Sequence, residues 1–166
     1  MTTPDMGAPL GQDRARLLPG SVLFCCDHNS VRSPIAEGYL KALHGTRIFV
    51  QSAGVFSERE VDGFAVTVAA EIGIDIARHR TRSFDDMQNW GESIAAYDRI
   101  IALSPAAQRR ALDYTADYHV EVSYWPILDP IGLGEKREEA LAAYRQTRDQ
   151  IVRRIRQEFL LEEQEG

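Results

Sequence analysis

The chain has 166 residues, 44% of them hydrophobic and 27% charged, and this is the composition of a globular domain. One domain is expected at this length, and no run nears the roughly 18 apolar residues a membrane span requires, which argues against a membrane partner. A net charge of −6 argues against nucleic acid as a partner, because few phosphate counterions could be released.

Residues 1–20 combine Pro, Gly and Thr without periodicity and are expected to form a mobile arm ahead of a single domain at 21–166. They lack the apolar core of a signal peptide. The two cysteines, Cys25 and Cys26, are chain neighbours and cannot make a cross-linking framework, and a reducing cytoplasm suits them.

From residue 21 onward, β-type runs alternate with helical patterns. Val22–Cys25, Ile48–Gln51, Arg99–Leu103 and Val120–Tyr124 read as strands covered on both faces. The helical candidates are Ser33–Leu43, Asp62–Ile72, Phe84–Ser93, Pro105–Tyr114 and Arg137–Phe159. Ser104-Pro105 reads as an N-cap followed by proline at the first helical position. In the last helix Tyr144, Ile151, Ile155 and Phe159 form one stripe, facing either a core or an oligomer seam. The basic clusters Arg78-His79-Arg80-Arg82 and Arg153-Arg154-Arg156 read as solvated helix faces. Strands alternating with helices predict an α/β sandwich, with a parallel sheet and right-handed crossovers. Such sheets bind ligands beyond the carboxyl ends of their strands.

The first strand runs into Cys26-Asp27-His28-Asn29-Ser30-Val31-Arg32-Ser33-Pro34, and a helix follows. Five residues between a cysteine and an arginine suit a tight loop whose N–H groups converge on a tetrahedral anion. The helix directs its positive end at the same spot. Amides, helix dipole and Arg32 together favour a thiolate on Cys26. The planar guanidinium of Arg32 can grip two phosphate oxygens, and Ser33 can hydrogen-bond the sulfur. The spacing alone is a weak signal. Its position between strand and helix, with Ser-Pro after the arginine, gives it weight. Cys25, as a strand residue, reads as core.

At these residues the chain resembles the low molecular weight protein tyrosine phosphatase family, whose loop reads Cys-x5-Arg-Ser-Pro after an apolar strand. QSAG at 51–54, IDIARHRTRSF at 74–84 and RIIALSPAAQRR are similar to further family segments, and Asp129-Pro130 matches its distant Asp-Pro. The likeness runs from about Ser21 to Phe159. It implies a flavodoxin-like three-layer sandwich, with a four-stranded parallel sheet in the order 2-1-3-4 and helices on both faces. It also implies a phosphomonoester hydrolase, acting on phosphotyrosine in proteins or on small phosphomonoesters, with no cofactor and no metal. Cys26 would be the nucleophile, Arg32 the phosphate clamp and Asp129 the general acid and base. Asp27, His28, Asn29, Ser30, Val31, Arg32 and Ser33 would line the phosphate, with Ser52 and His79 supporting the loop and Phe56 giving one apolar wall. Read without the likeness, His79 is equally a surface histidine beside arginines, and Asp129 an Asx turn before proline.

Five positions depart from the family. Asp27 stands where an apolar or small residue is usual, and its carboxylate would repel a dianion unless it turns away or pairs with an arginine. His28 stands in place of glycine, and Val31 in place of a second loop cysteine. Ile131 and Gly132 follow Asp129-Pro130 where many members carry aromatic residues. Two other functions compete. The related arsenate reductases share the loop and the Asp-Pro, and Arg148–Ile151 (RDQI) is similar to some of them, but no cysteine follows Cys26 to relay a disulfide. A phosphate- or phosphopeptide-binding module would keep the loop without turnover. Cys25, Cys26 and His28 do not have zinc-site spacing.

Overall fold

The computed structural model describes residues 18–159, so most of the expected arm and the last seven residues lie outside the described part. The elements are β1 (Ser21–Cys26), α1 (Arg32–His44), β2 (Phe49–Gly54), α2 (Gly63–Ala70), α3 (Phe84–Asn89), a 3₁₀ turn (Ile94–Ala96), β3 (Arg99–Ala102), α4 (Pro105–Thr115), β4 (Glu121–Tyr124) and α5 (Arg137–Phe159). The four strands pair in parallel in the order β2-β1-β3-β4, as the resemblance implied. Among the described residues no helix is long and apolar enough to cross a membrane.

Alternation along β1 separates two cores. Val22, Phe24 and Cys26 face α1, α2 and α5, where they meet Ile35, Leu40, Val68, Ile151 and Phe159. Leu23 and Cys25 face the opposite layer, with Phe84, Met87, Ile94 and Ala107. The two neighbouring cysteines therefore point into different layers. The α5 stripe of Tyr144, Ile151, Ile155 and Phe159 is buried in the first core, so the seam alternative is not needed.

Caps set the helix starts. Asp62 accepts from the N–H groups of Phe64 and Ala65, so α2 begins one residue later than the pattern suggested. Ser83 and Asp86 make a reciprocal capping box on α3. The expected helix at Phe84–Ser93 is shorter, because Gly91 takes a φ of 82° and turns the chain before the 3₁₀ segment. Ser104 caps α4 as expected, with Pro105 at its first turn. Strand β2 runs on to Gly54 instead of ending at Gln51, since all six of its residues pair with β1. Glu71, just beyond α2, binds Arg145 and Arg148 of α5, which pull its carboxyl down to about 2.

Candidate active site

The end of β1 delivers Cys26 to a loop that wraps back onto the start of α1. Val31 stands at the N-cap of α1 without a side-chain cap, so the N–H groups of the first turn are directed into the loop. Ser33 N–H points at the Cys26 sulfur at 3.4 Å, and Ser33 Oγ lies 3.0 Å from it. Ser33 Oγ already accepts from Asn29 Nδ2 at 2.8 Å, and its own proton faces two acceptors, the sulfur at 3.0 Å and Ala53 O at a longer 3.5 Å. Cys25, one residue earlier, is fully buried, and burial pushes its thiol well up.

Asn29 is the hub of the loop. Its φ of 56° makes it the non-glycine residue in the left-handed region among the described residues. His28, which replaces the family's glycine, does not need that conformation. The Asn29 amide donates to Ser33 Oγ and to Ser52 Oγ, and its carbonyl accepts from His79 Nε2 and from the Arg82 N–H. Ser52 and His79 both lie against the loop, each bonded to Asn29. Burial pulls the His79 imidazole down, opposed by the Glu37 carboxylate 3.8 Å away. Ser30 offers its carbonyl to Asp62 N–H, and Val31 packs into the core.

Two supports were not foreseen. Glu37 accepts from Ser52 Oγ at 2.5 Å. Arg82 is also turned inward: its Nε donates to Ser52 O and its Nη1 pairs with Glu92. The basic stretch at 78–82 is therefore no uniformly solvated face. The one signal for Glu37 was its place on α1, one turn past Ser33, which is only weakly informative. The second cluster, too, is partly packed: Arg154 lies over the Trp125 ring.

Gly54 lets the loop lie close. A Cβ there would stand 2.7 Å from Asn29 N and 2.9 Å from the His28 carbonyl carbon. On the rim, Phe56 is 56% exposed and flanks the His28 ring, and His28 Nδ1 pairs with Glu58.

Arg32 joins the two distant motifs. Its Nη1 donates to Leu103 O and Ile127 O, the segments that follow β3 and β4. Its Nη2 lies 3.7 Å from Asp129 Oδ2 and 3.7 Å from Asp27 Oδ2. Asp27 Oδ1 accepts from Ser104 Oγ at 2.6 Å, so this carboxylate pairs with an arginine and does not turn away. Asp129 Oδ1 accepts from Ile131 N–H, so the Asx turn and the placement beside Arg32 hold together. Helix α5 fixes the preceding residue, since Gln150 accepts from Leu128 N–H and Thr147 donates to Leu128 O.

A family model described as low molecular weight phosphotyrosine protein phosphatase matches residues 21–164. The chain belongs to that family. A glutaredoxin arsenate reductase from Synechocystis sp. is 31% identical over 134 residues, which cover 81% of this chain and 92% of the relative. A protein-arginine-phosphatase from Bacillus subtilis is 28% identical over 145 residues, covering 82% and 92%. The crystal structure of a tyrosine phosphatase from Erwinia amylovora superposes with a TM-score of 0.63 over 86% of this chain and 92% of that one, at 21% identity. This last likeness concerns the fold alone.

Proposed function

We propose that this family member hydrolyses phosphomonoesters through a phosphocysteine on Cys26, with phosphotyrosine in proteins as the substrate. The observation that carries the reading is the meeting of Arg32 and Asp129, 3.7 Å apart, at the mouth of the loop that holds Cys26. The Cys26 thiolate attacks phosphorus, an S–P bond forms and the bond to the leaving oxygen breaks. Asp129 protonates that oxygen. It then takes a proton from water, which attacks phosphorus and releases the thiolate. Ser33, donating to the sulfur, stabilises the thiolate as attacking and as leaving group. Loop and helix N–H groups, with Arg32, hold the phosphoryl oxygens. The exposed Phe56 ring offers a flat apolar wall for an aromatic leaving group.

The test is hydrolysis of p-nitrophenyl phosphate in EDTA, wild type against Cys26→Ser, followed by phosphotyrosine and phosphoarginine peptides. Turnover lost in Cys26→Ser, and preference for the phosphotyrosine peptide, are expected. Turnover that survives Cys26→Ser overturns the mechanism, and preference for the phosphoarginine peptide overturns the substrate. Arsenate reduction needs a thiol to resolve the oxidised cysteine, and Cys25 faces the other layer. Arsenate-dependent thiol consumption without phosphatase turnover would replace this proposal with reduction. Phosphate binding with neither activity would leave a binding module.

A further inference from the structure

Arg32 brings one positive charge to the mouth of the loop, and two carboxylates face it. Asp129 has a part in the proposed chemistry. Asp27 has none, yet it is built in as firmly: Ser104 Oγ, the cap of α4, donates to Oδ1 at 2.6 Å, and Oδ2 lies 3.7 Å from Arg32 Nη2. Its backbone carbonyl is held as well, accepting from Phe56 N–H at 2.8 Å. Ser104 also accepts from Ala107 N–H, so the donor that aims Asp27 is itself fixed at a helix start.

We infer that Asp27 is a specificity-determining residue that makes the site select singly charged over doubly charged tetrahedral oxyanion groups. Its carboxylate occupies the Nη2 side of Arg32, where a bound phosphoryl oxygen would approach, and each added negative charge on the ligand meets it at short range. Like charges a few ångströms apart in a partly buried site repel strongly, because little water screens them. A phosphoryl group that carries one negative charge, through protonation, meets about half of that repulsion. The inference rests on reading the loop as the phosphoryl cradle.

Sulfate and sulfamate test it, since both are tetrahedral and nearly the same size but differ by one charge at neutral pH. Nitrogen–proton NMR titrations at pH 7, read at the Ser33 amide, give both dissociation constants in wild type, Asp27→Asn, Asp27→Glu and Arg32→Ala. Asp27→Asn should tighten sulfate at least tenfold and sulfamate only by about the square root of that factor, so the ratio of the two constants shifts by about threefold or more. Asp27→Glu, which keeps the charge, should keep the wild-type ratio of the two constants. That rescue separates charge selection from a structural role, and it reads the proposal should Asp27→Asn fail to fold, because a lost ratio in Asp27→Glu overturns it. An unchanged ratio in folded Asp27→Asn overturns the inference while leaving the cradle reading intact. Shifts that persist in Arg32→Ala, or no loop shifts with either ion, overturn both.

Discussion

His79 Nε2 donates to Asn29 Oδ1 at 2.9 Å across 50 residues of chain, so the loop at the end of β1 is held from behind by the segment that precedes α3. Burial pulls the His79 imidazole below its ordinary value of 6.5. The unfolded chain then binds a proton that the folded chain resists, and stability rises with pH through that range. Stability present above pH 6.5 should therefore decline as the pH falls below it. Urea unfolding at a series of pH values should show this slope, and His79→Asn should flatten it.

Asn29 ties four groups together from a left-handed backbone. Asn29→Ala leaves buried donors unmatched and keeps the unfavourable φ, at an expected cost of about 2–4 kcal/mol. Denaturant unfolding measures the loss. The kcat for p-nitrophenyl phosphate should drop with it, because Ser33 loses the partner that directs its proton to Cys26.

Gly54→Ala should disturb the loop more than the fold. The added methyl meets loop backbone at Asn29 and His28, which cannot yield as a flexible side chain would. Overpacking of this kind costs about 1–3 kcal/mol. A tenfold or greater loss in phosphate affinity, with the melting transition still cooperative, is the expected pattern.

The two cysteines should differ in reactivity. Iodoacetamide is expected to add one group per native chain, assigned to Cys26 by tandem mass spectrometry. Cys25, fully buried with its thiol pushed up, should be labelled only after denaturation. Labelling of Cys25 in the folded chain would contradict the layer assignment of β1.

Asp129→Asn removes the proposed proton donor while keeping the size of the side chain. Phenyl phosphate, whose leaving group is poor, should lose about 10²-fold or more in kcat. The p-nitrophenyl ester should lose far less. Equal losses would take Asp129 out of the acid role.

Much of this was readable in the chain itself. The strand pattern around Val22–Cys25, the Ser104-Pro105 helix start and the Cys26–Arg32 spacing are local signals, and each is realised. Ser52 and His79 became legible only through resemblance, because their value lies in a shared partner, Asn29, far away in sequence. Glu37, Arg82, Gln150 and Ser104 as the partner of Asp27 left no such trace. Their contacts span 15 to 77 residues and exist only once the layers have packed. The helix break at Gly91 was missed for a similar reason, since an isolated glycine marks a turn only when its φ is known.

Arg32 reaches the mouth already anchored by its Nη1 bonds to Leu103 O and Ile127 O. A long cationic side chain carries about 2 kcal/mol of rotamer entropy. Here most of that freedom is lost when the chain folds, not when an anion arrives. Oxyanion binding should then proceed with little ordering of the clamp, its selectivity set by charge and fit at Nη2. Freeing Nη1 from the two carbonyls would return that ordering cost to the binding step.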